Sequence, residues 1–145
     1  MRRRCLKSVE EFYRGRNVRV FRLDQEGVIG RLRARARDLL EQRADVLEVR
    51  LFGSLARGDA HPGSDADLFI VLRDGAGSFL ERLTPLARMF EGVGVGCDVI
   101  AFTESEARAS RTRGETFSRA VFDEGVVLAT RQEDDRWRDG HRGGG

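Results

Sequence analysis

The segment between residues 51 and 72 constrains the fold more than any other part of the sequence. Its first apolar run ends in Gly53-Ser54, and a turn-rich stretch containing Pro62-Gly63 follows. Two carboxylates, Asp65 and Asp67, then open a second apolar run at 68–72. Apolar runs bounded by glycine and proline are typical of strands. The segment therefore predicts a strand, a turn into a helix, a loop and a second strand.

The two carboxylates are spaced so that they can share a cation. Successive side chains of a strand point to opposite faces, so Asp65 and Asp67 are expected on one side and Ala66 on the other. Two ionised carboxylates this close repel each other, and a divalent ion between them relieves the repulsion. Oxygen ligands suit Mg²⁺ or Mn²⁺. The alternative is a turn aspartate followed by a strand-end cap, since residues 62–65 have turn chemistry.

Gly53-Ser54 lies where the first strand is expected to pass into a helix. Free backbone N–H groups at such a junction can face an anion, and glycine permits a close approach. The Ser54 hydroxyl adds a donor at the same point. Phosphates would then lie between these donors and ions held by Asp65 and Asp67, so the two halves together indicate a metal-nucleotide site.

These motifs resemble the signature of the DNA polymerase β-like nucleotidyltransferase superfamily. The resemblance rests on Gly53-Ser54, Ala56-Arg57-Gly58 and Ser64-Asp65-Ala66-Asp67-Leu68. The short chain is similar to the minimal nucleotidyltransferases, over roughly residues 24 to 130. The resemblance implies an α/β fold, in which a small mixed β-sheet is backed by helices on one face and carries the site on its open face.

The resemblance also implies a chemistry and a third carboxylate. Asp98 lies near the start of the apolar run 97–102, where a polar residue needs a reason. By resemblance it joins Asp65 and Asp67 in holding two Mg²⁺ (or Mn²⁺) ions, and it is a candidate general base. The expected reaction transfers a nucleoside monophosphate, AMP from ATP, to a hydroxyl acceptor.

Several partners are compatible with this activity. Minimal nucleotidyltransferases are often the antitoxin half of a two-gene module, so a HEPN-type toxin is the expected protein partner and acceptor. A homodimer is also compatible, because a chain this short has no room for a second domain that holds the acceptor. One alternative is a non-catalytic antitoxin that acts by contact. Another is a nucleic-acid-binding protein, which is less favoured because Asp38, Glu41 and Asp45 follow the arginines of 31–37 and no aromatic residues interleave with them.

Two further residues near the motif have two interpretations each. Arg57 lies one helical turn after Ser54, so it could reach the triphosphate or pair with a nearby acid. Ser64 could hydrogen-bond the carboxylates or complete the turn before them. Both are included in the predicted nucleotide site with Gly53 and Ser54.

Local signals outline the other elements. Residues 1–23 are expected to be a charged N-terminal extension, with one or two helical turns and a short strand near Val18. The nucleotidyltransferase domain is placed at 24–130, and a flexible charged, glycine-rich tail at 131–145. Leu47, Val49 and Leu51 alternate with two charged residues and predict the first strand of the sheet.

Within the domain, caps predict where the helices start. Asp24 is a fair N-cap, while Ser78 with Glu81 and Thr103 with Glu106 read as capping boxes. Thr84-Pro85 either kinks the second of these helices or starts a new one. The third is expected to be a charged helix through about Arg113, after which an apolar stripe continues to Glu124, with Gly125 as the stop before a strand at 126–129.

Composition limits the class of protein. The longest apolar runs are far shorter than a membrane span, and the basic N-terminus precedes no apolar segment, so a cytoplasmic protein without membrane contact is expected. Cys5 and Cys97 form neither a metal spacing nor a disulfide framework. The net charge of +2 predicts no general attraction to polyanions.

Overall fold

The computed structural model describes residues 9–17, 19–75 and 77–131. The strands are β1 (Val9–Arg14), β2 (Arg19–Leu23), β3 (Val46–Phe52), β4 (Ala66–Leu72), β5 (Cys97–Thr103) and β6 (Val126–Thr130). The helices are α1 (Gln25–Gln42), α2 (Ser54–Arg57), α3 (Phe79–Arg88), α4 (Glu104–Arg113) and α5 (Thr116–Phe122). None of the helices in these ranges has the length and hydropathy that a membrane span requires.

Four of the strands form a mixed sheet in the order β5-β4-β3-β6. β4 and β5 run parallel, while β3 is antiparallel to both β4 and β6. The predicted mixed α/β sheet is therefore confirmed. β1 and β2 form a separate antiparallel hairpin, so the helical turns expected in the N-terminal extension are wrong for residues 9–14.

Helices cover both faces of the sheet, rather than one face as expected. Leu68 and Ile70 of β4 belong to a core shared with α1 and α3, whereas Phe69 and Val71 belong to a second core with α4 and α5. This alternation follows from the period of two along a strand. With both faces packed, the carboxylates lie at the end of the sheet where β3 stops and β4 and β5 begin.

The predicted caps are present, and the helices that follow them start where the sequence indicated. Asp24 accepts a hydrogen bond from the Gly27 N–H at 3.1 Å, and both capping boxes form. α3 continues through Pro85, so no new helix starts there. The charged helix predicted through about Arg113 is α4, which ends at Arg113, and Gly114 follows it in a left-handed conformation with a φ of +63°.

Gly125 is needed because neighbouring backbone lies close to it, and not because it ends a helix. A Cβ built at this position would lie 2.1 Å from the Val121 carbonyl oxygen, so only glycine fits between the end of α5 and β6. α5 itself ends earlier, at Phe122.

The charged residues of β3 are buried under α5. Glu48 is fully buried and accepts a 3.0 Å hydrogen bond from Arg50 Nε, and the Arg50 guanidinium lies 5.2 Å from the Phe122 ring centroid. The alternating pattern of the sequence places these charged residues on one face of β3, but it does not indicate that a helix covers this face.

Arg131, one residue beyond the predicted domain, packs against α1 and β3. Its guanidinium donates to the carbonyl oxygens of Leu40, Arg43 and Val46, and so satisfies acceptors at the end of α1 and the start of β3. The remaining tail, and residues 1–8 with Cys5, lie outside the described residues.

Candidate active site

Asp67 and Asp98 lie side by side at the end of the sheet. They are register partners on the parallel strands β4 and β5, which places their backbones about 4.8 Å apart. Asp67 shares its face of β4 with Phe69, and Asp98 shares its face of β5 with Ile100, and both of these residues pack in the same core. The two carboxylates therefore project from the same face of the sheet.

Asp65 completes the group from the residue immediately before β4. The strand begins at Ala66 rather than at Asp65 as predicted, and the Asp65 side chain is exposed. Its carboxylate packs against Gly96, because a Cβ built there would lie 2.6 Å from Asp65 Oδ1. The structure thus brings together the three carboxylates that the sequence analysis singled out.

The charges of Asp98 and Asp65 act on Asp67. Burial raises the pKa of Asp67, and the charges of Asp98 and Asp65 raise it further, while Arg57 opposes the shift. Burial also raises the pKa of the Cys97 thiol to about 11, with the same two neighbouring carboxylates contributing. Negative charge is therefore in excess at this end of the sheet.

Gly53 connects β3 to α2 and packs against Asp67. Its φ of +76° is strained for any residue with a side chain, and a Cβ would lie 2.2 Å from Asp67 Oδ2. Phe52, the residue before it, is the register partner of Asp67. Glycine is therefore required here for backbone conformation and for space.

The other predicted nucleotide-site residues surround this junction. Ser54 is the first residue of α2, the helical turn predicted at this point. Arg57 Nε lies 3.3 Å from Asp59 Oδ2 in a half-exposed ion pair, which corresponds to the pairing alternative. Ser64 Oγ accepts a 3.0 Å hydrogen bond from the His61 N–H, which corresponds to the turn alternative.

The donor set fits a divalent cation, although it does not form a closed metal site. Among the described residues, no group of three or more His, Cys, Asp or Glu side chains is arranged to enclose an ion. Within the same ranges, Asp65, Asp67 and Asp98 accept no hydrogen bonds and form no ion pairs, so their oxygens remain free for ligands. Three mutually repelling carboxylates without protein donors suit Mg²⁺ or Mn²⁺, with oxygens of a bound ligand completing the coordination.

Gly96 is the residue of this site that sequence reasoning missed. In the sequence, Gly92, Gly94 and Gly96 indicate only a glycine-rich loop before β5. The contact between Gly96 and Asp65 depends on the parallel pairing of β4 with β5, for which the local sequence carries no signal.

Comparison with known proteins gives one family and several similar structures. Residues 33–123 match the family described as nucleotidyltransferase domain, and no curated protein matches the chain. A structure from Sulfolobus solfataricus, provisionally assigned as a nucleotidyltransferase, is 22% identical with a TM-score of 0.56, over 75% of this chain and 86% of its own. It supports the fold.

Two further solved structures align more loosely. One, provisionally described as a minimal nucleotidyltransferase, is 31% identical over 68% of this chain and 93% of its own, with a TM-score of 0.46. The other is described as a toxin–antitoxin with AMP-PNP and is 19% identical over 79% of each chain, with a TM-score of 0.45.

Proposed function

The chain belongs to the nucleotidyltransferase domain family, and we propose that it is a metal-dependent enzyme that transfers AMP from ATP to a hydroxyl group. The observation that carries this proposal is the pairing of Asp67 with Asp98 on adjacent parallel strands, with Asp65 beside them. No structural role in the described residues accounts for three carboxylates held together without donors.

Each residue of the site has a part in the proposal. Asp65, Asp67 and Asp98 would hold two Mg²⁺ or Mn²⁺ ions, which when bound neutralise the triphosphate and lower the pKa of the attacking hydroxyl. The N–H and hydroxyl groups of Ser54 would bind phosphate oxygens. Arg57 is available to do the same, because a half-exposed ion pair such as that with Asp59 contributes only about 0–1 kcal/mol and is easily exchanged.

The proposed reaction is an in-line displacement at the α-phosphorus of ATP. The acceptor oxygen forms a bond to this phosphorus, the bond to the bridging oxygen of the β-phosphate breaks, and pyrophosphate leaves. The hydroxyl proton passes to a carboxylate oxygen of Asp98, which is exposed and therefore accessible to an acceptor.

The proposed acceptor is a hydroxyl on a partner protein, a HEPN-type toxin, whose modification would silence it. The partner rests on the resemblance of the motifs to the antitoxin-type minimal nucleotidyltransferases. The exposure of Asp65 and Asp98 is compatible with it, because a hydroxyl on a large partner can reach a site at the end of the sheet.

The test is to incubate the protein with ATP labelled at the α-phosphate, a divalent cation and the product of the neighbouring gene. We expect label on the partner with Mg²⁺ or Mn²⁺, none in EDTA, and none with Asp65→Ala or Asp98→Asn. Asp38→Asn, which alters an exposed carboxylate on α1, is the matched control and should retain the parent rate. Equal labelling by the parent and Asp98→Asn would refute the proposal.

Neutralisation by contact makes a different prediction with the same proteins. An antitoxin that acts only by binding would protect against its partner equally well when all three carboxylates are alanine. Loss of protection in this variant, with binding to the partner retained in a pull-down, would show that the chemistry is required.

A further inference from the structure

We propose that Gly96 is a positioning residue, which holds the Asp65 carboxylate in place by having no side chain of its own. This inference rests on the proposed metal-dependent function, because it concerns how one of the carboxylates is presented to the cations. It adds to the site a position that makes no polar side-chain contact and matches no motif.

The contact between the two residues is close and specific. A Cβ at Gly96 would lie 2.6 Å from Asp65 Oδ1, 3.3 Å from Cγ and 3.8 Å from Oδ2, so its three nearest neighbours all belong to one carboxylate. Gly96 does not have a positive φ, unlike Gly92 and Gly94 before it. Alanine at this position therefore meets no backbone strain, and its direct effect is on Asp65.

The backbones on both sides of the contact are fixed. The Ala66 N–H donates to the Gly96 carbonyl at 2.8 Å, and Ala66 and Cys97 are the first register partners of β4 and β5. Val95 and Cys97, which flank Gly96, pack against the main core. The two backbone segments cannot move apart without breaking the parallel pairing of β4 and β5. An added methyl group would therefore be accommodated by rotation of the Asp65 side chain.

Rotation of that side chain should weaken cation binding without unfolding the protein. Changes to groups that orient a metal ligand typically reduce metal affinity about 10–100-fold. We therefore expect Gly96→Ala to bind Mn²⁺ about 10–100-fold more weakly than the parent. The apparent activation constant for the metal in the transfer assay should rise by a similar factor, while the fold remains intact.

The experiment measures Mn²⁺ binding by electron paramagnetic resonance, without nucleotide or partner. Gly30→Ala is the matched control, because a Cβ there meets nothing within 4 Å, and it should bind like the parent. Asp65→Ala removes the proposed target of the added methyl group. Adding Gly96→Ala to Asp65→Ala should cause no further loss, because alanine at residue 65 leaves room for the new Cβ.

The outcomes separate this inference from the proposed function. Parent-like Mn²⁺ affinity in Gly96→Ala would overturn the positioning role and leave the function standing, as would a full additional loss in the Asp65→Ala background. Absence of Mn²⁺ binding by the parent itself would refute both. If Gly96→Ala fails to fold, the double variant with Asp65→Ala should fold, and its failure to do so would overturn the steric argument.

Discussion

Replacing Asp67 by asparagine should stabilise the folded protein while it abolishes the proposed activity. Burial and the charges of Asp98 and Asp65 raise the pKa of Asp67, which means that its ionised form is disfavoured in the folded state. Asparagine has nearly the same shape and removes the charge. Sites that hold like charges together for a ligand commonly reduce stability in this way.

The magnitude follows from the geometry of the sheet. Two unit charges about 5 Å apart repel by about 1 kcal/mol when screened as in water, which is appropriate because Asp98 and Asp65 are exposed. Asp98 supplies this repulsion and Asp65, two residues along the chain, adds a smaller one, so Asp67→Asn should gain about 1–2 kcal/mol at pH 7 and low ionic strength. For a domain of this size, that corresponds to a melting temperature higher by about 3–8 °C.

The pH dependence has a definite sign. A carboxyl group whose pKa is raised on folding binds its proton more tightly in the folded state than in the unfolded state. Its contribution to stability is therefore most favourable below the unfolded value, 3.8, and is lost as the pH rises through the folded pKa. The advantage of Asp67→Asn should be full at pH 7 and should disappear as the pH falls below about 4.

Urea unfolding followed by circular dichroism in EDTA, at pH values from 3.5 to 7.5, measures this difference directly. Asp38→Asn is the control and should stay within about 0.5 kcal/mol of the parent. Added Mn²⁺ at about 100 times its dissociation constant should stabilise the parent by about 2.7 kcal/mol and the variant less. A variant no more stable than the parent at pH 7, or a difference that does not change with pH, would refute the reasoning.

Three other predictions concern the rest of the fold. Gly125→Ala should destabilise by about 1–3 kcal/mol in urea unfolding, because its Cβ would meet a backbone carbonyl, whereas Gly30→Ala should stabilise by about 0.5–1 kcal/mol. Arg50→Met should cost about 3–5 kcal/mol in the same assay by removing an ion-pair partner of the buried Glu48, and adding Glu48→Leu should restore most of it. Alkylation of Cys97, followed by peptide mass spectrometry, should have its midpoint near pH 11, and a midpoint near 9 would contradict the burial argument.

The helix starts could be predicted from sequence because capping is a short-range property. Asp24 contacts the N–H three residues later, and the boxes at Ser78 and Thr103 do the same, so each signal lies within four residues. The strand β1 could not be predicted, because Val9 pairs with Leu23 across a turn and half of the residues in its own segment are charged. The end of α4 near Arg113 was predicted as well, because the charged segment of the sequence ends there.

In the candidate site, too, short-range features could be predicted from the sequence and long-range pairing could not. The period of two along a strand places Asp65 and Asp67 together from their spacing alone. The position of Asp98 beside Asp67 depends on β5 joining β4 in parallel, a long-range pairing that the family resemblance implied and the local sequence did not. Burial of Glu48 was also beyond the sequence, because it requires α5 to pack on that face of β3.

Two carboxylates of the site each pack against a glycine, at a position where a side chain would not fit. Asp67 packs against Gly53, whose conformation and space both exclude a Cβ, and Asp65 packs against Gly96, where space alone excludes it. A carboxylate held by hydrogen-bond donors would have part of its charge already satisfied. Glycine leaves room for the Asp67 and Asp65 carboxylates without a side-chain donor, so neither charge is satisfied by the residue that it packs against.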